Sequence, residues 1–196
     1  MSIPTETEAA LGRLIERYIA LCHQQLDSLP IQAYDPAWIS PCQVGEPDAQ
    51  GMIYWQPVAR TTEADFSGLE RALETEIHPD IKSFYGSFWC EALDAKAEEG
   101  GFTLIQVWNP DDFDRLGENI LGHAFVKQRI NAPLTIFFAC TDEDDFILSV
   151  ENDTGKVVLE NPGDLPIREV ASSLPEFLNR VEPLVKRENH DELDGG

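Results

Sequence analysis

The sequence predicts an α+β fold: one domain, largely an antiparallel sheet with helices packed against it. Three observations lead there. Apolar residues step by three or four behind capping signals near the start, middle and end of the chain. Three short apolar runs follow one another between Leu134 and Glu160, joined by turn-rich segments. One aromatic-rich stretch, Phe102 to Trp108, alternates with a period of two. Helices flanking a meander point to a layered antiparallel arrangement.

Thr5 to Glu8 form a T-x-x-E capping box, in which a hydroxyl and a carboxylate satisfy the free N–H groups of a first turn. Leu11, Leu14, Ile15, Tyr18, Cys22 and Leu26 then supply the buried stripe, and Pro30 closes the helix. Pro36, Pro41 and Pro47 make Ile31 to Gly51 a surface loop by expectation. Met52 to Gln56 is a β-rich run stopped by Pro57. Phe66, Leu69, Leu73 and Ile77 indicate a second helix that Pro79 interrupts, and Ile81 to Trp89 reads as either helix or turn.

Both faces of Phe102 to Trp108 are largely apolar, so it is expected as a central strand. Asn109-Pro110-Asp111-Asp112 is a helix start: an Asn cap, Pro at the first position, and carboxylates at the positive end of the dipole. This helix buries Phe113, Leu116, Ile120 and Ala124, exposes an Asp111–Arg115 pair, and ends before Pro133. Strands are expected at Leu134 to Cys140, Phe146 to Val150 and Lys156 to Glu160, with a further one at Ile167 to Val170. Ser173 to Glu176 is a second capping box, opening a helix with Phe177, Val181, Leu184 and Val185 inward. The domain is expected over residues 1–185, with 186–196 a polar, flexible tail.

Charge bounds the function. The chain carries 36 Asp and Glu against 14 Lys and Arg, a net −22, although 42% of its residues are hydrophobic. A magnitude of about 2 to 8 suffices for solubility. The excess adds self-repulsion and suits a cationic protein surface as the partner. Nucleic acid is excluded as a partner, because phosphate binding needs Lys and Arg, and unaided docking on anionic lipid is disfavoured. The start of the chain lacks the basic and apolar blocks of a signal peptide, and its apolar runs fall short of the ~20 residues that span a bilayer. Cys22, Cys42, Cys90 and Cys140 form no C-x-x-C pair and read as reduced thiols, mostly in the core.

No catalytic, cofactor or metal constellation stands out. His23, His78, His123 and His190 lack metal-ligand spacing, and no phosphate loop, nucleophile elbow or Cys-His pair is visible. Asp111, Asp112 and Asp114 read as helix-start charge rather than a magnesium site. Two further strings read as coincidence. His190 to Leu193 mimics a retention signal but is followed by three residues, and Asn152-Asp153-Thr154 is a sequon in a chain that does not look secreted. His123 reads as a packed histidine with a satisfied hydrogen bond.

Acids are concentrated in two places. Glu91 to Glu118 holds eight with two bases, and Asp142 to Asp153 holds six with none, a combined −12. The candidate partner-binding residues are therefore Asp111, Asp112, Asp114 and Glu118, with Asp142, Glu143, Asp144 and Asp145. On one face, charges within a Debye length of about 8 Å reinforce one another. An exposed aromatic would supply an anchor, with Trp38 and Trp55 as candidates, although a core position is the better expectation for both.

Ile53-Tyr54-Trp55-Gln56-Pro57, Leu69-Glu70-Arg71-Ala72, Phe84-Tyr85, Leu104-Ile105-Gln106-Val107-Trp108, Asp112-Phe113, Glu118-Asn119-Ile120-Leu121-Gly122-His123 and Leu174-Pro175-Glu176-Phe177-Leu178-Asn179 occur in an order and spacing that resembles the Syd family of bacterial SecY-interacting proteins. The resemblance runs from the first helix to Leu184. It implies a cytoplasmic, non-enzymatic protein, peripheral on the inner membrane, that binds the basic cytoplasmic loops of the translocon subunit SecY and checks its assembly. The wider SMI1/KNR4-like superfamily includes toxin-immunity proteins, so inhibition of a basic toxin is the alternative.

Overall fold

A computed structural model describes residues 3–98, 100–142 and 145–185. Its centre is a seven-stranded antiparallel sheet in the order β11-β10-β9-β8-β7-β6-β12. The strands are β6 (Leu93–Ala97), β7 (Gly100–Leu104), β8 (Thr135–Thr141), β9 (Ile147–Glu151), β10 (Val157–Glu160), β11 (Arg168–Ala171) and β12 (Glu182–Pro183). The expected meander is β8 to β10, and the expected fourth strand is β11. β6 arises from the acid-bearing stretch after Glu91, where Leu93, Ala95 and Ala97 alternate with Asp94, Lys96 and Glu98, and it pairs with β7 from Leu93↔Leu104 to Ala97↔Gly100.

One sheet face carries α1 (Glu6–Leu26), α3 (Pro79–Gly86) and α5 (Leu174–Arg180). The Thr5 hydroxyl accepts from Glu8 N, as the capping box requires, and Asp27 ends α1 in a left-handed conformation. The core between these helices and the sheet is aromatic. Phe138 of β8 meets Phe84 of α3 at 5.7 Å and Phe177 of α5 at 5.6 Å, both edge-on. Such contacts add about 0.5–1.5 kcal/mol beyond area burial. Asp80 on α3 accepts the Thr7 hydroxyl at 2.6 Å, and Arg17 donates to the Val181 carbonyl, so α1 is tied to both neighbours.

The opposite face is covered by α4 (Pro110–Arg129), against which α2 (Ser67–Leu73) packs through Phe66 and Phe113. Asn109 caps α4 by accepting from Asp112 N, and Pro110 occupies its first turn. Arg115 does not pair with Asp111; its guanidinium lies 5.2 Å above the Trp38 ring. Arg60 is likewise held between the rings of Trp89 and Phe113.

Five further expectations need correction. The Ile31–Gly51 loop contains β1 (Ile31–Ala33) and β2 (Gln43–Val44), which flank β3 (Met52–Trp55) in a small antiparallel sheet. Its prolines sit between the paired residues, so they do not prevent it. The second helix ends at Leu73, where Glu74 turns left-handed. Pro79 starts α3 rather than interrupting a helix, because a first-turn N–H has no partner to lose. The strand beginning at Phe102 ends at Leu104. Beyond it the Val107 carbonyl accepts from Cys90 N and the Trp108 indole donates to the Trp38 carbonyl, so these residues find their partners outside the sheet. Finally, α5 stops at Arg180 and the chain turns into β12. A small pair, β4 (Val58–Ala59) with β5 (Phe88–Trp89), completes the fold. The tail 186–196, with its retention-like string, lies outside the described residues.

Candidate partner-binding surface

The sequence-nominated carboxylates occupy two elements. Asp111, Asp114 and Glu118 are exposed on α4. Asp111, Glu118 and Gly122 lie seven and eleven residues apart, about two and three helical turns, and so share one outward stripe. Asp112 is turned inward, and its carboxylate accepts from Trp108 N at 3.0 Å. Together with the Asn109 cap, that makes Asp112 part of the helix start. Glu91 is also partly enclosed: burial pushes its carboxyl up, and its side chain accepts from Ala92 N.

Asp142 and Asp145 are exposed at the turn between β8 and β9, while Glu143 and Asp144 lie outside the described residues. Asp142 N donates to the Gly101 carbonyl, which sets this turn beside the β6–β7 turn and its exposed Glu98. The aromatic candidates are packed. Trp55 is 2% exposed between Tyr18 and Trp108, and Trp38 lies partly buried under Arg115.

α4 and the hairpin meet over a cleft of about 410 Å³ lined by Ile105, Gly122, His123, Val126, Phe137, Cys140, Ile147, Pro162 and Gly163. Gly122 follows Glu118 by one turn, Cys140 precedes Asp142 by two residues, and Ile147 follows Asp145 by two. Cys140 is an exposed free thiol, whereas Cys22, Cys42 and Cys90 are buried.

Beneath the cleft lies a charge cluster that the sequence reading missed. Lys127, 1% exposed, donates to the Glu160 carboxylate at 2.5 Å and to the Asp164 carbonyl at 2.5 Å. Thr135 donates to Glu160 at 2.7 Å, and His123 Nε2 is 3.0 Å from the Thr135 oxygen and 3.5 Å from Glu160. Burial alone would raise the Glu160 carboxyl; the contacts from His123, Lys127, Ser149 and Thr135 outweigh it and hold the group below its ordinary value. His123 is the packed, hydrogen-bonded histidine that was expected. Lys127 could have been found from its place on the Leu116–Ile120–Ala124 stripe, which turns it inward at helical spacing.

Asn152 of the sequon-like string is 6% exposed, and its amide bridges His78 N and the Glu76 carbonyl. Among the described residues no group of three or more His, Cys, Asp and Glu side chains could hold a metal ion, and no helix is long and apolar enough to cross a membrane.

The described polar and charged groups with special environments thus serve as caps, bridges and a buried ion cluster within an acidic α+β domain. The family described as Syd protein (SUKH-2) matches residues 8–183. A Protein Syd of Pseudoalteromonas atlantica is 39% identical over 176 residues, 89% of this chain and 94% of its own. One from Alteromonas mediterranea is 38% identical over 90% of this chain and 96% of its own. One from Hahella chejuensis is 39% identical over 91% of this chain and 94% of its own. The chain belongs to the Syd family.

Proposed function

We propose that this chain is a non-enzymatic protein that binds the basic cytoplasmic loops of SecY through an acidic surface and checks SecY assembly from the cytoplasmic side of the inner membrane. The observation that carries this reading is the net charge of −22, with carboxylates left exposed at Asp111, Asp114 and Glu118 of α4 and at Asp142 and Asp145 of the β8–β9 turn. Family membership supports the partner. The charge supports the mechanism: complementary potentials speed encounter and suppress partners of the wrong sign.

Glu143 and Asp144 stand between Asp142 and Asp145 in the sequence and add two negative charges to that segment. Asp112 contributes to the field but also holds the α4 cap, so its replacement confounds binding with folding. The clean perturbation is Asp111→Lys with Asp114→Lys and Glu118→Lys.

Binding to SecY-containing membranes, measured by co-sedimentation across a salt series, tests the reading. Association should be strong at low salt and weaken as the Debye length shrinks toward about 3 Å near 1 M. The triple reversal should weaken it about tenfold or more at fixed salt. Binding indifferent to both salt and reversal would remove the electrostatic mechanism while retaining SecY. Absence of binding would remove SecY and bring forward inhibition of a basic toxin.

A further inference from the structure

The cleft between α4 and the β8–β9 hairpin combines an apolar lining with a rim of segments that carry acids. Ile105, Val126, Phe137, Ile147 and Pro162 supply the lining, and Val126 is 41% exposed at its edge. The segments that build the cleft also carry exposed carboxylates near it: Glu118 one turn before Gly122, Asp145 two residues before Ile147, and Asp164 directly after Gly163. An uncharged apolar ligand gains nothing from that rim, and an anionic one is repelled by it. A cationic segment bearing an apolar side chain satisfies both features.

The cleft is also preset. The His123 ring stands edge-on to Phe137 at 5.7 Å and is held from below by Thr135 and Glu160. A Cβ on Gly122 would meet nothing within 4 Å, so the helix backbone is open to close approach there. A wall fixed before binding does not have to be ordered by the ligand.

We propose that this cleft accepts one bulky apolar side chain from a lysine- and arginine-rich segment of the protein partner. The inference rests on the electrostatic reading above and adds an anchor to it: carboxylates bring the segment in, and the cleft sets its register. Buried aromatic anchors ringed by polar contacts dominate many interfaces.

The test uses the full chain and two labelled lysine-rich peptides that differ only in a central tryptophan or serine. At low salt both should bind, the tryptophan peptide about tenfold or more tightly. Gly122→Leu, which fills the cleft mouth, should bring the two affinities together and leave the serine peptide's affinity unchanged. Val126→Ser, a change at an exposed position, should narrow the ratio in the same way. The tryptophan peptide alone should slow alkylation of Cys140 by a maleimide.

Equal affinities in the unaltered protein would overturn the cleft and leave carboxylate capture standing. So would a ratio that Gly122→Leu does not change, together with an unprotected Cys140. Failure of both peptides to bind at low salt would overturn the electrostatic reading, and the anchor with it.

Discussion

Lys127→Met isolates the strongest internal electrostatic commitment in this chain. The lysine is 1% exposed and Glu160 0%, with Nζ 2.5 Å from Oε2. Removing the ammonium leaves a carboxylate away from solvent without its lysine partner, and also strips the Asp164 carbonyl of its donor. Breaking one side of a buried pair costs about 3–5 kcal/mol. For a chain of this size each kcal/mol lowers Tm by about 2–4 °C, so the expected loss is roughly 6–20 °C.

The double variant Lys127→Met with Glu160→Gln removes both charges while keeping an acceptor for Thr135. It should recover most of the loss, because replacing a whole buried pair is often close to neutral. Urea unfolding followed by tryptophan fluorescence gives the two single-variant costs and the coupling between them. A coupling of about 2 kcal/mol or more is expected for groups in direct contact. A Lys127→Met cost under about 1 kcal/mol, or a double variant as damaged as the sum of the singles, would refute the reasoning.

Three further outcomes follow from the same structure. Glu160 has a folded pKa held below its ordinary value, so its stabilisation is complete above the unfolded value and is lost as pH falls through the folded one. Urea titrations from neutrality down to about pH 3 should therefore show a steeper loss in the unaltered protein than in the Lys127→Met/Glu160→Gln variant. Asn152→Ala orphans His78 N and the Glu76 carbonyl, and should cost about 2–3 kcal/mol of unfolding free energy, read as a lower urea midpoint at an unchanged m value. Gly117→Ala in α4, where a new Cβ meets nothing within 4 Å, should stabilise by about 0.5–1 kcal/mol, read as a higher Tm.

The elements most legible in the sequence are those whose signals are local. Thr5, Asn109 and Ser173 each cap the helix they were expected to cap, since a side-chain oxygen three residues from an N–H needs no tertiary partner. The β8–β10 meander was legible because apolar runs and turn residues alternate at short range. β6 was also within local reach, since Leu93, Ala95 and Ala97 alternate with polar residues and the strand pairs with neighbouring β7, but its acids drew the reading toward charge. What escaped otherwise depended on distant chain segments. Trp108 lies beyond the strand, with its indole donating to the carbonyl of Trp38, far away in sequence.

The candidate surface was legible to the same degree. The acid-rich segments could be named from sequence, but not Asp112's engagement with Trp108 N, nor the cleft. Lys127 is foreshadowed by its place on the Leu116–Ile120–Ala124 stripe, whereas Glu160 taken alone reads as an ordinary surface charge. Their pairing arises because α4 lies across the sheet, which no window of sequence records.

The two borders of the seven-stranded sheet bear on how any partner can attach. β12 is only Glu182–Pro183, where the proline offers no N–H, and β11 presents exposed Arg168 and Glu169 along four residues. Short, charged or proline-bearing borders resist the addition of another strand. Recognition by backbone pairing, which reads little of the incoming sequence, is thereby discouraged. In the mode of binding proposed above, selectivity falls to side chains on the α4 face, where charge and shape can reject a wrong partner.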